Sequence, residues 1–122
     1  MAETNATRLH RWDEIELEKV TEMISRKIVT GAREMLAQVY LKKGALVPMH
    51  AHESEQITYV LQGALKFVIG GDEIVVREGE VLAIPSWIEH QAEALDDTFE
   101  LDLFSPIRQD WLDKTDDYFT RS

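Results

Sequence analysis

Two histidines one residue apart, His50 and His52, stand in the stretch at residues 44–63, GALVPMHAHESEQITYVLQG. On an extended strand, side chains at i and i+2 leave the same face, so both imidazoles can turn toward one ion. Gln56 has the same parity and lies one short bend further on, where Ile57, Tyr59 and Leu61 read as the next strand. A shorter stretch at residues 79–90, GEVLAIPSWIEH, supplies a third imidazole, His90. Three imidazoles and one amide oxygen form a neutral ligand set for a divalent metal, with coordination positions left open for water or substrate. A lone histidine beside a strand is usually a surface or hydrogen-bonding residue, and His10 is read that way. The combination at residues 50, 52, 56 and 90 points instead to a metal pocket. Glu53 and Glu55 have the opposite parity and point away on a regular strand, although a bulge would reverse them.

These residues need strands to position them. Residues 23–29 are rich in β-branched side chains and end near Gly31. Residues 33–42 read as the next strand, with Met35, Ala37 and Val39 on one face and Leu36, Gln38 and Tyr40 on the other. Neither face is cleanly polar, as expected of a barrel that is covered on both sides and dimerises. Residues 65–69 and 73–77 flank Gly70-Gly71-Asp72 as a hairpin. Residues 81–84 form a short strand ended by Pro85, and the loop at 86–89 delivers His90. Two more strands, 91–95 and 98–104, are separated by Asp96-Asp97. Many short strands between Gly, Pro and Asp turns favour an all-β barrel or sandwich.

The ends are less regular. Residues 1–22 form an arm: a loose lead at residues 2–10, then a segment at 12–20 that reads either as a short turn of helix or as a strap along the barrel, with Trp12 as its anchor. The barrel itself spans 23–105. The tail from 106 to 122 begins with a short helix and becomes acidic and aromatic, and Trp111 fastens it.

At 122 residues the chain can build one core. With no cysteine it has neither disulfides nor a thiolate metal site. No apolar run reads as a signal peptide or membrane span, so a soluble cytoplasmic protein is expected. Thirteen basic against 23 acidic residues give a formal charge of −10, which repels nucleic acid and anionic membranes. A small anionic substrate remains compatible if the pocket carries its own positive charge.

The spacing of Gly44, His50, His52, position 56 and Gly63 resembles the first conserved motif of the cupin superfamily. Gly79, Pro85 and His90 resemble the second, fifteen residues later. The resemblance implies a double-stranded β-helix, or jelly-roll barrel, with a metal near one end of its interior, and a homodimer. Two departures stand out: most cupins place Glu where this chain has Gln56, and Trp87 occupies the usual glycine position of the second motif. A neutral shell stabilises Fe(III) poorly, which disfavours an iron dioxygenase.

Residues 101–112, LDLFSPIRQDWL, together with the run EQITYV at 55–60, resemble the small pectin-degradation cupins that linearise unsaturated uronates, over roughly residues 25–112. That family implies a glutamine beside three histidines at the metal, a catalytic aspartate, and a phenylalanine and an arginine at the substrate. By motif position these are Gln56, Asp102, Phe104 and Arg108. Composition alone leaves Asp102 at even odds between pocket and solvent, because Leu101 and Leu103 alternate with it. The resemblance turns Asp102 inward. Arg108 suits a uronate carboxylate, or else a salt bridge within the acidic tail. Phe104 packs on the sugar or in the core, and Trp87 is placed at the pocket mouth.

The implied substrate is a cyclic enol ether from pectin or alginate, opened to 4-deoxy-5-keto uronate. Opening proceeds either by deprotonating the anomeric hydroxyl and protonating C4, or by adding water at C5 and collapsing the hemiketal. Both routes use one divalent ion (Ni, Zn, Mn or Fe) and Asp102 as proton carrier. The alternatives are a cupin dioxygenase or other small-metabolite enzyme, and a noncatalytic metal-containing sugar or ligand binding module.

Overall fold

The computed structural model describes residues 7–116 and 118. A 3-10 turn, Trp12–Glu14, precedes β1 (Glu18–Lys19), β2 (Ile24–Thr30), β3 (Met35–Leu41), β4 (Leu46–His50) and β5 (Glu55–Gln62). Then follow β6 (Ala64–Ile69), β7 (Asp72–Arg77), β8 (Val81–Ile84), β9 (His90–Ala94), β10 (Thr98–Ser105) and one short helix, α1 (Gln109–Asp113). The strands form a six-stranded sheet, ordered β1-β2-β3-β10-β5-β8, and a four-stranded sheet, ordered β4-β9-β6-β7. All pairings are antiparallel. This is the expected all-β jelly roll. Among the described residues no helix is long and apolar enough to cross a membrane.

Alternation builds the core. Met35, Ala37, Val39 and Leu41 of β3 are buried, as are Val60 of β5, Leu65 and Phe67 of β6, and Ala92 and Ala94 of β9. The opposite face of the larger sheet keeps Tyr40, Ile57 and Tyr59 each 38% exposed, with Tyr40 stacked on Phe99 at 4.7 Å. The β6–β7 hairpin turns on Gly70 and Gly71, both at positive φ, as a two-residue mirror-image turn demands. Gly63 is needed for space: its φ is +92°, and a Cβ there would lie 2.8 Å from Thr98 Cα.

β10 inverts the simple hydrophobic pattern. Thr98, Glu100, Asp102 and Phe104 are buried, while Leu101 and Leu103 lie half-buried on the outer face. The register with β5 explains how this is tolerated. Phe104 sits opposite Gln56 and Asp102 opposite Thr58, so the Asp102 carboxylate meets the Thr58 hydroxyl and the Gln56 amide of the facing strand.

The arm and the tail meet on one side chain. Arg26 of β2, 1% exposed, forks onto Glu18 of β1 at 3.0 and 3.1 Å and onto Asp116 of the tail at 2.8 and 3.3 Å. Its guanidinium lies 4.1 Å over the Trp111 ring. A charge so deep is stable only because both carboxylates accompany it. Residues 12–20 thus contain both readings, a short turn and then a strap paired to the sheet edge. Trp12 is half-buried and its carbonyl accepts a hydrogen bond from Lys27 Nζ at 2.8 Å. The start of the lead, to residue 6, lies outside the described residues.

Candidate metal centre

His50 closes β4, His90 opens β9, and the antiparallel register sets them opposite one another. His52 is not on a strand, contrary to the expectation that it shares one with His50. The chain leaves β4 after His50, and a turn brings the second imidazole round. Two contacts hold that turn: the His52 carbonyl accepts from the Trp87 N–H at 2.8 Å, and its Nδ1 meets the Ser54 carbonyl at 2.8 Å. The ligating nitrogens of His50, His52 and His90 lie within 4.8 Å of one another.

The three rings share one hydrogen-bonding logic. His50 Nδ1 faces the Pro48 carbonyl at 2.7 Å and His90 Nδ1 the Ile88 carbonyl at 2.8 Å, as His52 Nδ1 faces Ser54. A carbonyl only accepts, so each proton sits on Nδ1 and each Nε2 presents a lone pair. Burial, reinforced by neighbouring positive groups, holds His50 down to about 3 and His52 to about 4. Burial also lowers His90. The imidazoles are therefore neutral bases at physiological pH.

Gln56 completes the case for a cation. Its amide nitrogen donates to Thr58 Oγ1 at 2.9 Å and to Asp102 Oδ1 at 3.4 Å, which turns its oxygen to His52 Nε2 at 3.1 Å. Two lone pairs at that distance repel unless a cation lies between them, and His52 is too weak a base to hold a proton there at pH 7. His90 Nε2 is likewise buried without a hydrogen-bond partner among the described residues. A divalent metal resolves both, so the donor set of three Nε2 atoms and the Gln56 oxygen fits the ion.

The other sequence-predicted residues fall as follows. Asp102 is buried and accepts the Thr58 hydroxyl at 2.7 Å. Burial raises it above the usual carboxylate range, opposed by hydrogen bonds from Glu100 and Thr58 and by the charge of Arg108. Phe104, 1% exposed, is wedged edge-on between His52 at 5.7 Å and Trp111 at 4.9 Å. Arg108 is buried and bonds Asp110 through Nε at 3.0 Å and Nη2 at 2.8 Å, which is the tail salt bridge, yet it also lines the cavity. Glu53 and Glu55 are exposed, as their parity requires. Trp87 does not line the cavity, contrary to its expected place at the mouth. Its side chain is 65% exposed and its backbone secures His52. Its φ of +63° explains the glycine usual at this position, since the left-handed conformation costs any other residue about 1–2 kcal/mol.

Sequence reasoning missed Thr58, Glu100, Arg26 and Tyr118, all facing this region. Tyr118 stacks on the His50 ring at 4.2 Å with an interplanar angle of 4°. Its hydroxyl oxygen accepts from Trp111 Nε1 at 3.2 Å and Arg108 Nη2 at 3.4 Å. With this ring in place the cavity holds about 40 Å³ of free space.

Residues 37–105, from within β3 to the end of β10, match the cupin domain family. The chain belongs to that family. This cupin is 31% identical over 103 residues to the pectin degradation protein KdgF of Dickeya dadantii, a match that covers 82% of this chain and 94% of that protein. The solved structure of KdgF from Halomonas sp. superposes with a TM-score of 0.76 at 36% identity, covering 81% of this chain and 94% of the other. An RmlC-like cupin from Shewanella frigidimarina shares the fold, with a TM-score of 0.81 at 24% identity over 88% of this chain and 98% of its own. The cupin is thus similar over most of its length to pectin-degradation proteins.

Proposed function

We propose that this cupin opens 4,5-unsaturated monouronates to 4-deoxy-5-keto uronate. The observation that carries the reading is the convergence, in one cavity, of a cation site with neutral ligands, the buried carboxylate of Asp102 and the guanidinium of Arg108. The similarity to pectin degradation proteins supports the substrate class.

Ring opening is an isomerisation: a proton leaves the anomeric hydroxyl, the bond between C1 and the ring oxygen breaks as the aldehyde forms, and a proton arrives at C4 as C5 becomes a ketone. No electron leaves the substrate. His50, His52, Gln56 and His90 would hold the metal, which when bound supplies Lewis acidity toward a substrate oxygen. Asp102 takes and returns the proton, its carboxylate aimed by the Thr58 hydroxyl and the Gln56 amide. Arg108 offers the substrate carboxylate a planar cation, oriented by its fork onto Asp110. The Phe104 and Trp111 rings lie 5.2 and 5.0 Å from its guanidinium carbon and give it an aromatic support.

The test follows the loss of conjugated absorbance when metal-replete protein is added to freshly generated unsaturated monouronate, against spontaneous opening. Acceleration with the pectin- or alginate-derived uronate is expected. No acceleration with either would end this reading.

A free space of about 40 Å³ is near the volume of one water, far below the roughly 300 Å³ where small-molecule pockets begin. A sugar ring needs more room than the cavity offers with the Tyr118 ring stacked on His50. The Tyr118 hydroxyl also occupies Arg108 Nη2 at 3.4 Å, where a substrate carboxylate would bind. Tyr118→Ala removes this competitor and is expected to lower KM severalfold in steady-state kinetics with kcat little changed. A higher KM would show instead that the ring holds the substrate.

A further inference from the structure

The tail after α1 enters the cavity of the metal centre, and a charged contact seats it. α1 ends at Asp113, Lys114 takes the left-handed conformation at φ +58°, and the Thr115 N–H closes this turn on the Asp110 carbonyl at 2.8 Å. Past the turn, Asp116 reaches Arg26 and Tyr118 reaches His50. Tyr118 lines the cavity, stacks on a ring of the metal centre and occupies Arg108, whereas Asp116 does not line the cavity and touches it through Arg26. Trp111 is common to both contacts: Arg26 lies over its ring, and its Nε1 donates to the Tyr118 hydroxyl oxygen.

The Arg26 fork is arranged so that one carboxylate can leave. Glu18 is fixed by the sheet, because the β1–β2 register sets it directly opposite Arg26. Asp116 stands on the segment past the Lys114 turn, outside the sheets. The two carboxylates share Arg26 Nη2, Glu18 at 3.0 Å and Asp116 at 3.3 Å. When Asp116 departs, Arg26 keeps Glu18, so the buried guanidinium retains a counter-charge. Without Glu18 the same departure would strand that charge, and the tail would be held more firmly.

We propose that the segment bearing Asp116 and Tyr118 is an autoinhibitory plug hinged at Lys114. The Asp116–Arg26 pair latches it, Tyr118 covers His50 and Arg108, and release opens the cavity while Glu18 holds Arg26 in place. The plug governs access to the cavity and does not depend on a uronate being the substrate.

Hydrogen exchange of the metal-free full chain reads the latch directly, by comparing the amides of residues 114–118 with those of β3. Asp116→Asn is expected to speed exchange of the tail about tenfold or more, as for loss of a hydrogen bond to a charged group, with β3 unchanged. Glu18→Gln is expected to leave the tail no faster than wild type. A brace for arm and tail together would be loosened by either substitution, so acceleration in Glu18→Gln as well overturns the latch. So does an Asp116→Asn tail within twofold of wild type, or acceleration that extends to β3. On the metal-loaded chain, loss of the ion to excess dipicolinate is expected to quicken severalfold in Asp116→Asn and in Tyr118→Ala, from an unchanged starting metal content. A Tyr118→Ala variant stripped no faster than wild type overturns the plug. If the wild type carries no ion, the exchange results decide. A tail that behaves as expected on a protein that opens no uronate upholds the plug and removes the uronate reading alone.

Discussion

Alanine at both His50 and His52 is expected to abolish metal binding. Elemental analysis of wild type purified without an affinity-metal column should find about one ion per chain, as a single four-donor site implies. The double variant should fall to background. The expectation rests on how the donors are built. Each Nδ1 is tied to a backbone carbonyl, so each Nε2 lone pair is aimed before the ion arrives. Losing an outer hydrogen-bond partner of a ligand typically costs about 10–100-fold in metal affinity, and here two ligands themselves are lost. Removing both also leaves His90 and Gln56 with no shared partner, since Gln56 meets the site through His52 at 3.1 Å. Gln56→Ala should be milder, because three imidazoles remain. Unchanged metal content in the double variant would refute the assignment of this site.

Much of this site is legible in the chain because its signals are local. The spacing of His50, His52 and Gln56 and the proline loop before His90 mark the ligands. Gly70-Gly71 marks a hairpin, and β-branched runs mark the strands. What the local pattern leaves open is set by long-range pairing. By composition alone Asp102 stands at even odds between pocket and solvent, because the leucines of β10 alternate with it. The register against β5 accounts for the inward place, because Thr58 waits opposite Asp102 with a hydroxyl to donate. Thr58 and Glu100 were within reach of the same parity argument: they share a strand face with Gln56 and Asp102, respectively. Arg26 and Tyr118 were not. Arg26 meets Asp116 across 90 residues of sequence, and Tyr118 meets His50 across a span of similar scale, and neither contact leaves a periodic trace. Trp87 shows the converse limit. Its place in the motif is that of a glycine, so its role lies in backbone conformation, and the aromatic side chain there carries no information about the pocket.

Asp102→Asn is expected to lower kcat for uronate opening by at least about 100-fold, the lower end of what a positioned acid–base group contributes. The substitution keeps the shape of the side chain and leaves an oxygen to accept from Thr58, which now lies 2.7 Å from Asp102 Oδ1. No cavity opens, and β10 keeps its register between β3 and β5. What is lost is the ability to take a proton from the anomeric hydroxyl and deliver one to C4. Metal content should be preserved, because the ligand set lies on β4, β5, β9 and the turn at His52. KM should change much less than kcat, since the substrate carboxylate is assigned to Arg108. Arg108→Ala should show the opposite split, a raised KM with a smaller loss of kcat, although misplacing the ring also slows chemistry. The pair of variants therefore separates proton transfer from capture. An Asp102→Asn variant that turns over as fast as an active wild type would leave the reaction standing and remove Asp102 as its proton carrier. One that loses its metal as well would place Asp102 with Gln56, as a group that orients the ligand shell through the 3.4 Å amide contact.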